Sequence, residues 1–170
     1  MNSSENRIAT VNLTIPMRAE YVSIARLTAA GVANRIGFDI EAIEDIKVSL
    51  SEVCNRIIST LDKFSKGYDA ECRIEFFLSE NNIGVNFYVD NSELLHFFMP
   101  DNPPRQDGLT YAGFKCGAGV NVDIEKLIGD QREEEQYKDQ LQLSLISLLM
   151  DEFIINPSDG CLVSMKKYIE

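Results

Sequence analysis

Asp39-Ile-Glu-Ala-Ile-Glu-Asp-Ile-Lys-Val-Ser-Leu-Ser-Glu-Val-Cys-Asn-Arg-Ile-Ile-Ser-Thr-Leu61 decides the reading of this chain. Ile43, Ile46, Leu50, Val53, Ile57 and Leu61 recur at the three-and-four spacing of one helical face. Asp39 is placed to cap that helix at its start. The other side carries Asp45, Ser49, Glu52, Arg56 and Ser59. The pattern breaks near Lys66-Gly67.

Upstream, Glu20 to Ile36 reads as another helix, with Tyr21, Ala25, Ala29, Val32 and Ile36 on its apolar side and Gly37 closing it. Small residues on this side let a second backbone approach closely. Before it, Ala9, Val11, Leu13 and Ile15 alternate with polar positions, which predicts an edge or half-buried strand ending at Pro16. Downstream, Cys72 to Ser79 and Ile83 to Asp90 alternate as strands, with Asn81-Asn82 as the hairpin turn between them. Residues 91–129 are irregular, broken by prolines and glycines, and form a lid-like segment. Phe97, Phe98, Met99, Tyr111 and Phe114 make this segment apolar, which suits an interface, a lid or core packing. Asp130 to Glu152 reads as a long helix whose second half carries Leu141, Leu145, Leu148 and Leu149. Phe153 to Ile155 and Cys161 to Tyr168 close the chain as two strands.

This order predicts an α/β (α+β) two-layer sandwich: one mixed, mainly antiparallel sheet with helices on one face. The expected organisation is a flexible N-terminus over residues 1–7 and a single domain over residues 8–170. The chain has 170 residues, is 45% hydrophobic and carries a net charge of −11. That composition is too apolar for a disordered chain. No run approaches the ~20 apolar residues of a bilayer span, and the first residues lack the apolar core of a signal peptide. A pI near 4.6 speaks against direct nucleic-acid binding. Cys54, Cys72, Cys116 and Cys161 form no CxxC pair, and His96 is the sole histidine, so no metal site is expected.

Ile15-Pro16, the run Glu20-Tyr-Val-Ser-Ile-Ala-Arg-Leu-Thr28, and Ile43 through Cys54 resemble the RsbW/SpoIIAB family. The strand ending in Asp90, Leu149-Met-Asp-Glu152 and the closing strand extend the resemblance over nearly the whole chain. That family comprises anti-sigma factors that are also serine kinases, built on the GHKL (Bergerat) histidine-kinase-like ATPase fold. The resemblance implies a cytoplasmic bacterial regulator, usually a homodimer, that holds a sigma factor inactive. A STAS-domain anti-anti-sigma protein competes for the same surface and is phosphorylated on a serine with Mg-ATP. The resemblance also makes Arg26, in Ala25-Arg-Leu-Thr28, a partner-contacting residue.

Three boxes carry the family's nucleotide chemistry, and each departs here. In the first, Glu-x-x-x-Asn, Glu52 matches the general base, but Arg56 stands where an asparagine oxygen coordinates magnesium. Arginine offers donors and a fixed positive charge, and ligates no cation. Asn55 lies next door, yet one residue turns a side chain by about 100° on a helix. Glu52 and Arg56 equally fit a surface i,i+4 ion pair. In the second box Asp90 matches the adenine contact, while Ser92 and Leu94 replace glycines. In the third, Lys138-Asp-Gln-Leu-Gln-Leu143 replaces a glycine-rich phosphate cradle. The expectation is a degenerate member that keeps fold and partner surface, with ATP binding and kinase activity weakened or lost. An active serine kinase acting on a STAS-domain antagonist is the alternative.

Overall fold

The computed structural model describes residues 8–63, 70–89, 142–155 and 160–169. Strand β1 (Ala9–Pro16) leads through a single 3-10 turn into helix α1 (Val22–Arg35), followed by helix α2 (Ile40–Lys63). Strands β2 (Glu71–Leu78) and β3 (Asn82–Val89) form a hairpin. A third helix, α3, covers 142–149. It precedes β4 (Glu152–Ile155) and β5 (Val163–Tyr168).

The five strands lie in the order β1-β2-β3-β5-β4, and every pairing among them is antiparallel. Register places Leu13, Ile74, Phe87 and Val163 in one row across the sheet, and Val11, Phe76, Val85, Met165 and Phe153 in the next. Because side chains alternate along a strand, these rows share one face. Apart from the exposed Val11, they meet Ile46, Leu50, Val53 and Ile57 of α2 in a single core, with Ala25, Ala29 and Ala33 of α1 closing it. The alanines of α1 let the two helices pack closely, as the small-residue side predicts. Gly37 adopts φ +95°, the left-handed turn that ends α1. Asp39 Oδ1 then accepts the Ala42 N–H at 2.8 Å, which caps α2.

The opposite sheet face is polar and aromatic. Arg73 stacks over the Tyr88 ring at 3.8 Å, and Tyr88 Oη donates to Glu75 Oε2 at 3.3 Å. Phe77, on the same face, is nearly buried and lies across Gly84.

One expectation is corrected. The last long helix ends at residue 149, and Glu152 already belongs to β4. Lys166 of β5 accepts the Asp151 N–H at its carbonyl, and the pairing of Glu152 with Lys166 takes the chain into the sheet. Among the apolar residues of this segment, burial selects Ile146 and Met150 over two of the leucines. Leu145 is 38% and Leu148 80% exposed, while Ile146 and Met150 are buried. The segment is apolar all round, so periodicity alone did not choose its inner face. Residues 1–7, the segment 91–129, the start of the last helix, Asp90, His96 and Cys116 lie outside the described residues.

Candidate functional site

Helix α2 has two sequestered sides. One is the apolar core stripe. The second runs along Ser49, Arg56 and Thr60, which are 0%, 3% and 5% exposed. Positions seven and eleven apart fall on nearly the same side of a helix of 3.6 residues per turn. Glu52 sits on this side between Ser49 and Arg56 and is half-buried. Asn55 points away and is exposed.

The burial of Arg56 corrects the surface ion-pair alternative, because its guanidinium is not in solvent. Position 56 places a fixed positive charge inside the protein, one helical turn from Glu52. Most hydroxyls of α2 bond back to their own helix. Ser51 Oγ donates to Lys47 O at 2.7 Å, Ser59 Oγ to Arg56 O at 3.1 Å and Thr60 Oγ to Arg56 O at 2.7 Å. Ser49 departs from this habit: its Oγ is fully buried and has no hydrogen-bond partner among the described residues. A buried polar atom left this way costs about 1–3 kcal/mol. Sequence reasoning placed Ser49 on the polar side and did not single it out. Its spacing to Arg56 was the available signal.

Magnesium does not fit this side chain set. The ion takes oxygen ligands at short range, and a guanidinium supplies no lone pair and repels the charge. Among the described residues no cluster of three or more His, Cys, Asp or Glu side chains is placed to hold a metal ion. Asp90 follows the last residue of β3 and lies outside the described residues, as does most of the 138–143 stretch.

Arg26 is exposed on α1, beside Leu27, which is 73% exposed. Ile24, 43% exposed, adds a second apolar side chain to this helix surface. Arg26 and the α2 stripe therefore occupy separate helices, one facing solvent and one facing inward.

A cavity of about 270 Å³ opens at the start of α2, lined by Asp39, Glu41, Asp45, Asp151, Lys167 and Tyr168, among others. Lys167 spans it: Nζ reaches Asp45 Oδ2 at 3.1 Å and donates to Leu149 O at 2.7 Å. The lysine thereby ties β5 to α2 and satisfies a carbonyl in the last turn of α3.

Cys54, Cys72 and Cys161 are free and buried. Burial pushes the Cys54 thiol up to about 12 and the Cys161 thiol to about 11, and it raises Cys72 as well. Thiols held protonated are poor nucleophiles and poor metal ligands. No helix among the described residues is long and apolar enough to cross a membrane.

One antiparallel sheet backed on a single face by helices is a two-layer α+β fold, consistent with a histidine-kinase-like domain. No family model matches the chain. It is, however, 36% identical over 164 residues to the serine-protein kinase RsbW of Bacillus thuringiensis (strain Al Hakam), covering 96% of this chain and 88% of the relative. The serine-protein kinase RsbW of Bacillus anthracis (strain CDC 684 / NRRL 3495) is 37% identical over the same shares of the two chains. At this identity and coverage the chain belongs to the RsbW family of serine-protein kinases.

Proposed function

We propose that this protein is an anti-sigma-type regulator that works by protein–protein binding in a partner switch, with Mg-ATP binding and serine phosphorylation weakened or lost. Its partners are a sigma factor and a STAS-domain anti-anti-sigma protein, and it acts as a homodimer in the cytoplasm. The observation that carries this reading is Arg56, buried four residues beyond Glu52. Phosphoryl transfer depends on positioning and on neutralising phosphate charge with a bound metal. Mg-ATP would supply the phosphoryl group and that neutralisation, but a guanidinium has nothing to offer the magnesium ion.

In this reading Glu52 is a vestigial general base and Asp90 a vestigial adenine contact. Asn55 faces away and contributes little. Ser92, Leu94 and the absence of glycine from 138 to 143 support the same conclusion. Partner binding falls to the exposed surface of α1, where Arg26 presents a planar five-donor group to an acidic partner.

The second reading is an active serine kinase acting on the STAS-domain antagonist. Retention of Glu52, half-buried on the inward side of α2, is the observation that favours it. Binding assays separate the two. The regulator captures a sigma factor or STAS protein with the same affinity in the presence and absence of Mg-ATP. A kinase releases its STAS partner once ATP is added.

A further inference from the structure

We propose that the free edge of β1, from Thr10 to Thr14, is the seam on which a second copy of this chain pairs, antiparallel, joining the two sheets into one. This rests on the homodimer reading above and assigns its surface. β1 is paired with β2 on one side, and among the described residues no strand lies on the other. Hydrogen-bond parity fixes which backbone groups that leaves. Ser79 N–H donates to Asn82 O, so the odd-numbered residues along β2 bond to β3. Met17 N–H donates to Ala70 O, so the even-numbered residues along β2 take the odd-numbered residues of β1. In an antiparallel ladder the intervening residues turn N–H and C=O the other way. Thr10, Asn12 and Thr14 therefore present theirs to the free edge, and all three are exposed. Pro16, next in that series, has no N–H and ends the edge on one side. Ile8 N–H bonds to Leu78 O, which ends it on the other.

The occupant follows from the strand itself. Thr10-Val-Asn-Leu-Thr14 reads Thr, apolar, Asn, apolar, Thr from either end. A two-fold axis at Asn12 sets that residue opposite Asn12 of the second copy, Thr10 opposite Thr14, and Val11 opposite Leu13. Each edge residue then donates one backbone hydrogen bond and accepts one. Like polar side chains meet on the outer face, and Val11, 36% exposed, is covered on the inner one. Charge points the same way. The chain carries a net charge of −11, which repels a second copy, yet β1 contains no charged residue. Sheets guard their edges with charge or by keeping the edge strand short. β4, at the far edge, does both, with four residues and Glu152. β1 is eight residues long and does neither.

The experiment is sedimentation equilibrium of the full chain, with cysteine cross-linking to read the register. The native chain forms a dimer, and Asn12→Pro weakens it tenfold or more, because proline there removes the central edge donor but no bond to β2. Where Asn12→Pro does not fold, Asn12→Lys, which sets like charges face to face from an exposed position, gives the same loss. Under mild oxidation Asn12→Cys cross-links to itself, since the α-carbons of a hydrogen-bonded pair lie about 5.5 Å apart, within disulfide reach. Thr10→Cys cross-links to Thr14→Cys when the two are mixed and not to itself, with the native chain as the blank. A dimer that both Asn12 substitutions leave untouched, without the Asn12→Cys cross-link, overturns the seam and leaves the homodimer reading standing. A self-cross-link by Thr10→Cys but not by Asn12→Cys overturns the register. A native chain that stays monomeric up to millimolar concentration overturns both the seam and the homodimer. If Asn12→Lys then also loses a sigma factor or STAS protein, the edge takes a partner's strand instead.

Discussion

Gly84→Ala converts one close approach in the sheet into a measurable cost. A Cβ built at Gly84 falls 1.7 Å from Phe77 Cζ and 2.2 Å from each Cε atom. Carbon atoms in ordinary contact sit about 3.5–4.0 Å apart, so the overlap is about 2 Å. The colliding atoms are the far end of the ring, and a ring with room would swing aside cheaply. Phe77 is 3% exposed, so it has little room, and Lys166 Nζ lies 5.9 Å from the ring centroid. Two escapes remain. Forcing the ring to share the space costs about 1–3 kcal/mol. Expelling it to water forfeits about 2–3 kcal/mol of burial. Replacing a strand glycine by alanine returns about 0.5–1 kcal/mol of backbone entropy. The net loss is about 1–2 kcal/mol, or a Tm lower by about 2–8 °C for a domain of this size. Urea and thermal unfolding of Gly84→Ala, Phe77→Ala and the double variant measure it. The double variant is more stable than the sum of the singles by about 1 kcal/mol or more, because removing the ring removes the clash. Additivity within ~0.5 kcal/mol, or an unchanged Tm for Gly84→Ala, refutes the packing described.

Lys167→Met strands Asp45 half-buried and leaves Leu149 O without its donor, so urea unfolding shows a loss of about 1–3 kcal/mol, part of which Asp45→Asn restores in the double variant. Arg26→Glu, at an exposed helix position, lowers affinity for a sigma factor or STAS protein tenfold or more while Tm stays within about 1 °C, a small surface effect; unchanged affinity in a pull-down titration removes Arg26 from the interface. The buried thiols make stability fall in alkali. Cys54 ionises near 9 when unfolded and near 12 when folded, so their shared contribution is complete below pH 9 and is lost as pH rises from 9 toward 12. Urea midpoints at pH 8.5 and 10.5 show the drop, with a slope approaching ~1.4 kcal/mol per pH unit for each such thiol, and Cys54→Ala makes it shallower.

The sheet and α2 were legible because their apolar residues obey clean periods. Six apolar positions from Ile43 to Leu61 name the core side of the helix without ambiguity. The inward turn of Ser49 and Arg56 was not legible, since a polar side chain is buried by what tertiary neighbours do, and no local period records that. The first half of the candidate site was thus readable as residue types, Glu52 and Arg56, and unreadable as burial. At α3 the pattern left the inner face open. Leucines are spread around the helix from residue 143 to 149, so the pattern carries no direction, and it is Ile146 and Met150 that join the core cluster holding Phe153, Val163 and Met165. The helix end was misplaced because Asp151 and Glu152 fit a helix locally. Their partners, the Tyr168 N–H on Asp151 Oδ2 and the Tyr168 Oη on Glu152 Oε1, come from β5.

The proposed loss of phosphoryl transfer is tested most directly by incubating the purified protein with γ-labelled ATP, magnesium and a STAS-domain protein that binds it. The buried arginine at position 56 predicts no label on the STAS serine above a blank without the protein, and no difference between the native chain and Glu52→Gln. Label transferred to that serine by the native chain, and abolished by Glu52→Gln, would show a working kinase and contradict the proposed function.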